Sequence, residues 1–197
     1  MLKQAIIFFF FTIMTFSGLA QENAQDSSLN KIYWDEWFKL EWSDFKGKHV
    51  EGDGIAAQSS IGLPYTLNSD GEGILKVSIN VCFIKDESWS NSERINNVLL
   101  QHEQLHFDIA ELHRRMIVKQ LLEAKMNKNN YQEEVDMIID KIWNEKYRAM
   151  QDKYDKETNF SRIIREQINW NRFIKQQLVN HKEFAFTELE INLIQFD

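Results

Sequence analysis

From Ser90 to Lys125 the chain carries neither glycine nor proline, and this stretch constrains the fold more than any other. Val98, Leu99, Leu105, Ile109, Leu112, Met116 and Ile117 recur in it at helical spacing, which predicts one long helix with an apolar stripe. Ser90 and Glu93 have the spacing of a capping box and set the expected start. Asn127-Lys128-Asn129-Asn130 sets the expected stop. At about 100° per residue, His102, His106 and His113 fall in the middle of the stripe and are expected to face the interior.

Within the helix, His102-Glu103-Gln104-Leu105-His106 spells H-E-x-x-H. On a helix this spacing places two imidazoles one turn apart on one face with a carboxylate beside them. Zinc hydrolases need that arrangement: two neutral nitrogen ligands on a rigid rod and a base next to the activated water. His102 and His106 are therefore candidate metal ligands and Glu103 a candidate catalytic base. Two interior histidines also have a plain reading as satisfied core residues, and burial fits both. A third ligand discriminates between them.

His113 shares the face but lies about 10 Å beyond His106 along an unbroken helix, too far to share one metal. It is expected to be a core, second-sphere or substrate-facing residue. Asp108 and Glu111 point away from the His102–His106 face, with Asp108 free to orient a neighbouring element. Arg114 and Arg115 are expected to be solvated. The third ligand should come from another element, and Asp152-Lys153-Tyr154-Asp155-Lys156-Glu157 is the best stretch. An antiparallel return from the first helix can carry it back over the motif. Asp155 is the first candidate and Glu157 the second.

The rest of the chain supplies the frame. Lys3 followed by the apolar run Ala5 to Phe16 and then Ser17-Gly18-Leu19-Ala20 reads as a cleavable export signal over residues 1–20. After cleavage no membrane span is expected, and the location implied is periplasmic or extracellular. Residues 21–31 are polar and expected to be flexible. Leu40 to Phe45 alternates like a half-buried strand. His49 sits in a glycine-marked loop with nothing to anchor it. Ile55 to Leu67 and Ile74 to Ile84 read as an antiparallel strand pair, with Leu75, Val77, Ile79, Val81 and Phe83 on its covered face. Pro64 marks an edge or a bulge. Cys82, the only cysteine, is expected to be a buried or half-buried free thiol.

A second helix is predicted from about Tyr131 to Tyr154. A loop follows over Lys156 to Phe160, and then a third helix from Ser161, its expected cap, to Leu178. The tail Phe184 to Phe196 partly alternates and is read as a strand or an arm. The net charge of −7 with scattered cations gives no basic stripe, which argues against a nucleic-acid partner.

Five stretches resemble a family of bacterial domains of unknown function, number 922, described as predicted secreted zinc-dependent proteases. They are Leu40-x-Trp42-x-Asp44-Phe45-x-Gly47, Ala56-Ala57-x-Ser59-Ser60-x-Gly62, His102-Glu103-Gln104-x-His106-Phe107-Asp108, Tyr154-Asp155-x-x-Thr158 and Gln167-x-x-Trp170-Asn171. The likeness covers most of residues 40–171. The family pattern usually carries a histidine two positions after the threonine, where this chain has Phe160. If that histidine binds metal in relatives, Asp155 or Glu157 must replace it here.

These readings converge on an α+β protein: a small antiparallel sheet, a long H-E-x-x-H helix and two further helices, zincin-like in plan. One domain is expected over residues 32–180, with 181–197 as a C-terminal extension. The function expected is that of an exported zinc-dependent metallopeptidase acting on a peptide or protein substrate. The alternative is a non-catalytic envelope protein with a structural or degenerate metal site.

Overall fold

Residues 30–49 and 54–194 are described by the computed structural model. The expected export signal and nearly all of the polar stretch after it lie outside the described residues. The alternation in residues 74–84 becomes two strands, β5 (Ile74–Ile79) and β6 (Cys82–Ile84), with a break at Asn80 and Val81. Leu75, Val77, Ile79, Val81 and Phe83 are all buried on one side, as their period of two requires. The expected partner over residues 55–67 is not one strand. It is divided into β2 (Ala57–Gln58), β3 (Ile61–Gly62) and β4 (Tyr65–Ser69).

That division turns the single predicted sheet into three small antiparallel ones. β5 lies between β4 and the tail strand β8 (Glu188–Asn192), while β6 lies between β1 (Lys31–Tyr33) and β3. β2 pairs with β7 (Trp89–Ser90). Pro64 falls between two edge strands, β3 and β4, where its missing donor costs no ladder bond. The segment after residue 180 contributes β8 in full register with β5, from Ile74 opposite Asn192 to Ser78 opposite Glu188. Cys82 is a buried free thiol.

The long helix α1 spans Asn97–Glu123. Its cap is Asn96, whose side chain accepts from the Leu99 amide at 3.0 Å, not the Ser90 expected from sequence. Pairing of β7 with β2 draws Ser90 into a strand and leaves no helical start there. Leu40 to Phe45 also departs from expectation, because Trp42–Asp44 forms a 3-10 turn. Asp44 accepts from the Glu41 amide at 3.0 Å, which closes the turn and sends both Leu40 and Phe45 inward. Gly47 follows where a Cβ would lie 2.8 Å from the carbonyl oxygen of Asp86 and 2.9 Å from that of Ser88, so only glycine fits.

α1 is central. One side packs Phe107, Ala110, Ile117, Val118 and Leu121 against the buried face of β5 and β6. Another packs Leu105, Ile109 and Leu112 against Tyr154, Trp170 and Ile174 of the later helices. Burial of each such large apolar side chain contributes about 1.5–3 kcal/mol. With both flanks covered, polar residues on α1 must find partners inside the protein.

Glu111, Arg114 and Arg115 do so, against the expectation that the arginines are solvated. Arg114 is 1% exposed and Arg115 6%. The Glu111 carboxylate receives Nε and Nη2 of Arg114 and Nε of Arg115, all at 2.7 Å. Further guanidinium donors reach the backbone carbonyls of Leu178, Ala185 and Phe186 at 2.8 Å. The cluster thus ties α1 to the chain entering β8.

The second predicted helix is one helical run in three parts: α2 (Tyr131–Ile139), a π-helical segment (Asp140–Tyr147) and α3 (Arg148–Thr158). It extends past Tyr154 to Thr158, whose Oγ bonds the Tyr154 carbonyl at 2.7 Å inside the last turn. α4 runs Ile164–Asn180. Ser161 does not cap it. Asn159, Phe160 and Ser161 take left-handed φ values of 48°, 53° and 69°, so the chain reverses there. For non-glycine residues this backbone costs about 1–2 kcal/mol each. The reversal is closed by the Phe160 amide on the Asp155 carbonyl and the Ile163 amide on the Thr158 carbonyl. No described helix is long and apolar enough to cross a membrane.

Candidate metal centre

The helical arrangement follows from which residues meet. Along α1, His102 meets Asp155 and His106 meets Gln151, so α3 runs antiparallel to it. His102 also meets Gln167, and Arg115 meets Leu178, so α4 runs parallel. The left-handed reversal at residues 159–161 therefore lets two consecutive helices approach the same turn of α1.

Asp155, the first sequence candidate, is brought to both histidines. Its Oδ1 lies 3.0 Å from His102 Nε2 and 3.1 Å from His106 Nε2, and the two Nε2 atoms are 3.1 Å apart. The far nitrogens are engaged as well: His102 Nδ1 lies 3.1 Å from Gln167 Oε1, and His106 Nδ1 lies 2.6 Å from Gln151 Oε1. An amide oxygen only accepts, so each Nδ1 carries the proton and each Nε2 presents a lone pair. Two lone pairs and a carboxylate oxygen then face a single point.

Three acceptors at such distances repel one another unless a cation lies among them. A proton on one Nε2 can supply that charge, and so can a metal ion. The electrostatics agree. Burial pulls the His106 pKa down, but the charge and hydrogen bond of Asp155, with Glu103 beyond, outweigh it and raise the imidazole to about 9. Burial would raise Asp155, but the two imidazoles hold it well below the usual carboxylate range. Tetrahedral zinc with bonds of about 2.0–2.2 Å separates its ligand atoms by about 3.3–3.5 Å. The observed triangle needs to open by only a few tenths of an ångström, so the donor set fits.

Glu103 is buried on the neighbouring face, and Ser59, between β2 and β3, donates its hydroxyl to Glu103 Oε2 at 2.7 Å. Tyr154 lies under His102, rings stacked 4.5 Å apart at 25°, and its hydroxyl bonds Gln167 Oε1 at 2.8 Å. Burial drives the Tyr154 phenol far up, so it stays a donor. The side chains of His106 and Asp155 remain 14% and 29% exposed, which leaves one side of the triangle open to solvent.

The other candidates go elsewhere. Glu157 accepts from Trp170 Nε1 at 2.9 Å and is not brought to the histidines. Phe160 is 43% exposed and does not occupy the ligand corner. His113 is a core residue whose Nδ1 donates to the Ile109 carbonyl at 2.8 Å, and burial lowers its pKa. Asp108 accepts from Trp34 Nε1 at 2.9 Å and Gln104 Nε2 at 3.0 Å, and so orients the segment entering the fold. His49 rests against Trp89 with ring centroids 4.8 Å apart.

Sequence reasoning gave no role to Ser59, Tyr154, Gln167 or Gln151. The first three lie inside the short patterns that carry the family resemblance. Gln151 lies in none, though its place one turn before Asp155 on α3 puts it on the same face.

Residues 86–161 match the model of a family described as bacterial protein of unknown function (DUF922). The match spans the H-E-x-x-H helix and the Asp155 turn, and it supports the resemblance read from the sequence. No curated protein and no solved structure matches the chain.

Proposed function

We propose that this protein is an exported, zinc-dependent metallopeptidase of zincin-like plan, with His102, His106 and Asp155 as metal ligands and Glu103 as catalytic base. The observation that carries the reading is the convergence of two Nε2 lone pairs and one carboxylate oxygen, all 3.0–3.1 Å apart, on one turn of α1. Two histidines and a carboxylate with one open side form a donor set that catalytic zinc uses. A zinc ion held there supplies Lewis acidity, which acidifies water and polarises a peptide carbonyl.

The chain's own residues account for the rest. Glu103, fixed by Ser59, takes the proton from the attacking water and returns it to the leaving amine nitrogen. His102 and Asp155 are held by buried partners, while the exposed flank of His106 and Asp155 admits an extended peptide. Export rests on the basic and apolar pattern of residues 1–20.

The test is hydrolysis of a peptide library by zinc-loaded protein. Wild type is expected to cleave, and Glu103→Gln to lose about 10²–10⁴-fold in rate while retaining zinc. Zinc-loaded wild type that cleaves no peptide would overturn the peptidase reading in favour of a structural metal site.

A further inference from the structure

Behind the three converging acceptors stand two side-chain amides, one on each histidine. An amide has a donating and an accepting end, so an unanchored glutamine could stabilise either tautomer of an imidazole. Here Gln151 is anchored outright, and Gln167 sits in a hydrogen-bonded network. Gln151 Nε2 donates to the His106 backbone carbonyl at 3.1 Å, and a carbonyl only accepts, so Oε1 is forced toward the ring. Gln167 is buried, its Nε2 donates to Asn171 Oδ1 at 3.0 Å and to the Tyr154 hydroxyl, and its Oε1 lies 2.8 Å from that same hydroxyl. Gln151 is thus held with its oxygen toward the Nδ1 proton by a partner that can only accept, and Gln167 is held beside His102 by its network with Asn171 and Tyr154.

We infer that Gln151 and Gln167 are positioning residues that lock His106 and His102 in the Nδ1–H tautomer and so aim both Nε2 lone pairs at the metal position beside Asp155. The inference rests on the metal reading above. A second consequence follows from their being amides. Neutral acceptors orient the rings without adding negative charge, so Asp155 remains the one charged ligand and a bound dication keeps its Lewis acidity. Carboxylates at these two positions would make the imidazoles more basic and hold the ion more tightly, at the expense of that acidity.

The experiment is competition for Zn²⁺ between the full chain and a chromogenic chelator. Gln151→Met and Gln167→Met keep the side-chain length and remove the acceptor. Each is expected to weaken zinc binding by about 10–100-fold. Gln151→Glu, which restores an acceptor, is expected to bind zinc as tightly as wild type or more so. Rescue by a charge would not occur if the glutamine merely filled space. In zinc-loaded wild type, two slowly exchanging downfield Nδ1 protons are expected by NMR, with the matching one lost in each Met variant. If Gln167→Met fails to fold, half-buried Gln151 carries the test alone. Wild-type affinity in both Met variants, or in Gln151→Met when only that one folds, overturns the positioning role and leaves the metal site standing. If wild type itself binds no zinc, the metal reading falls and this inference with it.

Discussion

Two buried polar clusters are built on α1, and each needed its charges balanced once both flanks of the helix were covered. At Glu111, the partners are permanent: two guanidiniums close on one carboxylate at 2.7 Å, and three backbone carbonyls accept further guanidinium donors. At His102 and His106 the balance is left to something exchangeable. The three atoms that meet there are all acceptors, and the charge that reconciles them can be a proton or a metal. The first arrangement is what a structural cluster requires. The second costs stability unless a cation is supplied.

Glu111→Gln tests the first half of this contrast and should have the larger effect. It leaves two buried guanidiniums without a counter-charge, at a cost of about 3–5 kcal/mol of stability. Urea denaturation measures this, and zinc affinity of the folded variant should change by less than about threefold, since separate sites are nearly additive. Equal losses of stability and zinc binding would mean that the clusters are not independent.

A smaller and more specific effect is expected from pH. With His106 raised from its ordinary 6.5 to about 9, its contribution to the stability of the metal-free protein is fully present below 6.5 and lost as pH rises through 9. Asp155 acts in the opposite sense: depressed from 3.8, it contributes above that value and loses its contribution as pH falls through its folded pKa. The contribution of this pair to the metal-free protein should therefore be greatest between these limits, from about 4 to about 6.5, while His113, lowered by burial, loses its contribution as pH falls below 6.5. Zinc competes with the same proton, so zinc affinity should rise with pH up to about 9. Thermal melts across pH 4 to 10 check both, and Glu111→Gln should keep the same profile because it leaves the histidine site intact. A flat profile would contradict a shared cation at His106.

How far the sequence could be read follows the range of the interactions involved. α1 and the covered face of β5 and β6 were legible because periodicity is local, and Gly- and Pro-free length is visible in one window. His102, Glu103 and His106 were legible as a spacing, and Asp155 as an antiparallel return. The errors arose where a specific contact, distant or local, overrode a sequence pattern. Ser90 has the spacing of a cap, but its pairing with Ala57 makes it a strand residue. Ser161 has the chemistry of a cap, but the left-handed turn uses it for a reversal. Arg114 and Arg115 look solvated because their acceptors at residues 178, 185 and 186 are some 60 to 70 positions away. Leu40 to Phe45 alternates, yet Glu41 and Asp44 bond to each other at 3.0 Å and close a turn. Gln151 leaves no trace in the sequence because an isolated amide has no diagnostic spacing.

The central claim is that His102, His106 and Asp155 hold a divalent metal, and zinc stoichiometry tests it most directly. Titration of metal-free protein with Zn²⁺ should give one ion per chain for wild type, and binding should be lost in Asp155→Ala while the fold persists by circular dichroism. Absence of zinc binding in wild type, or wild-type affinity in Asp155→Ala, would contradict the account.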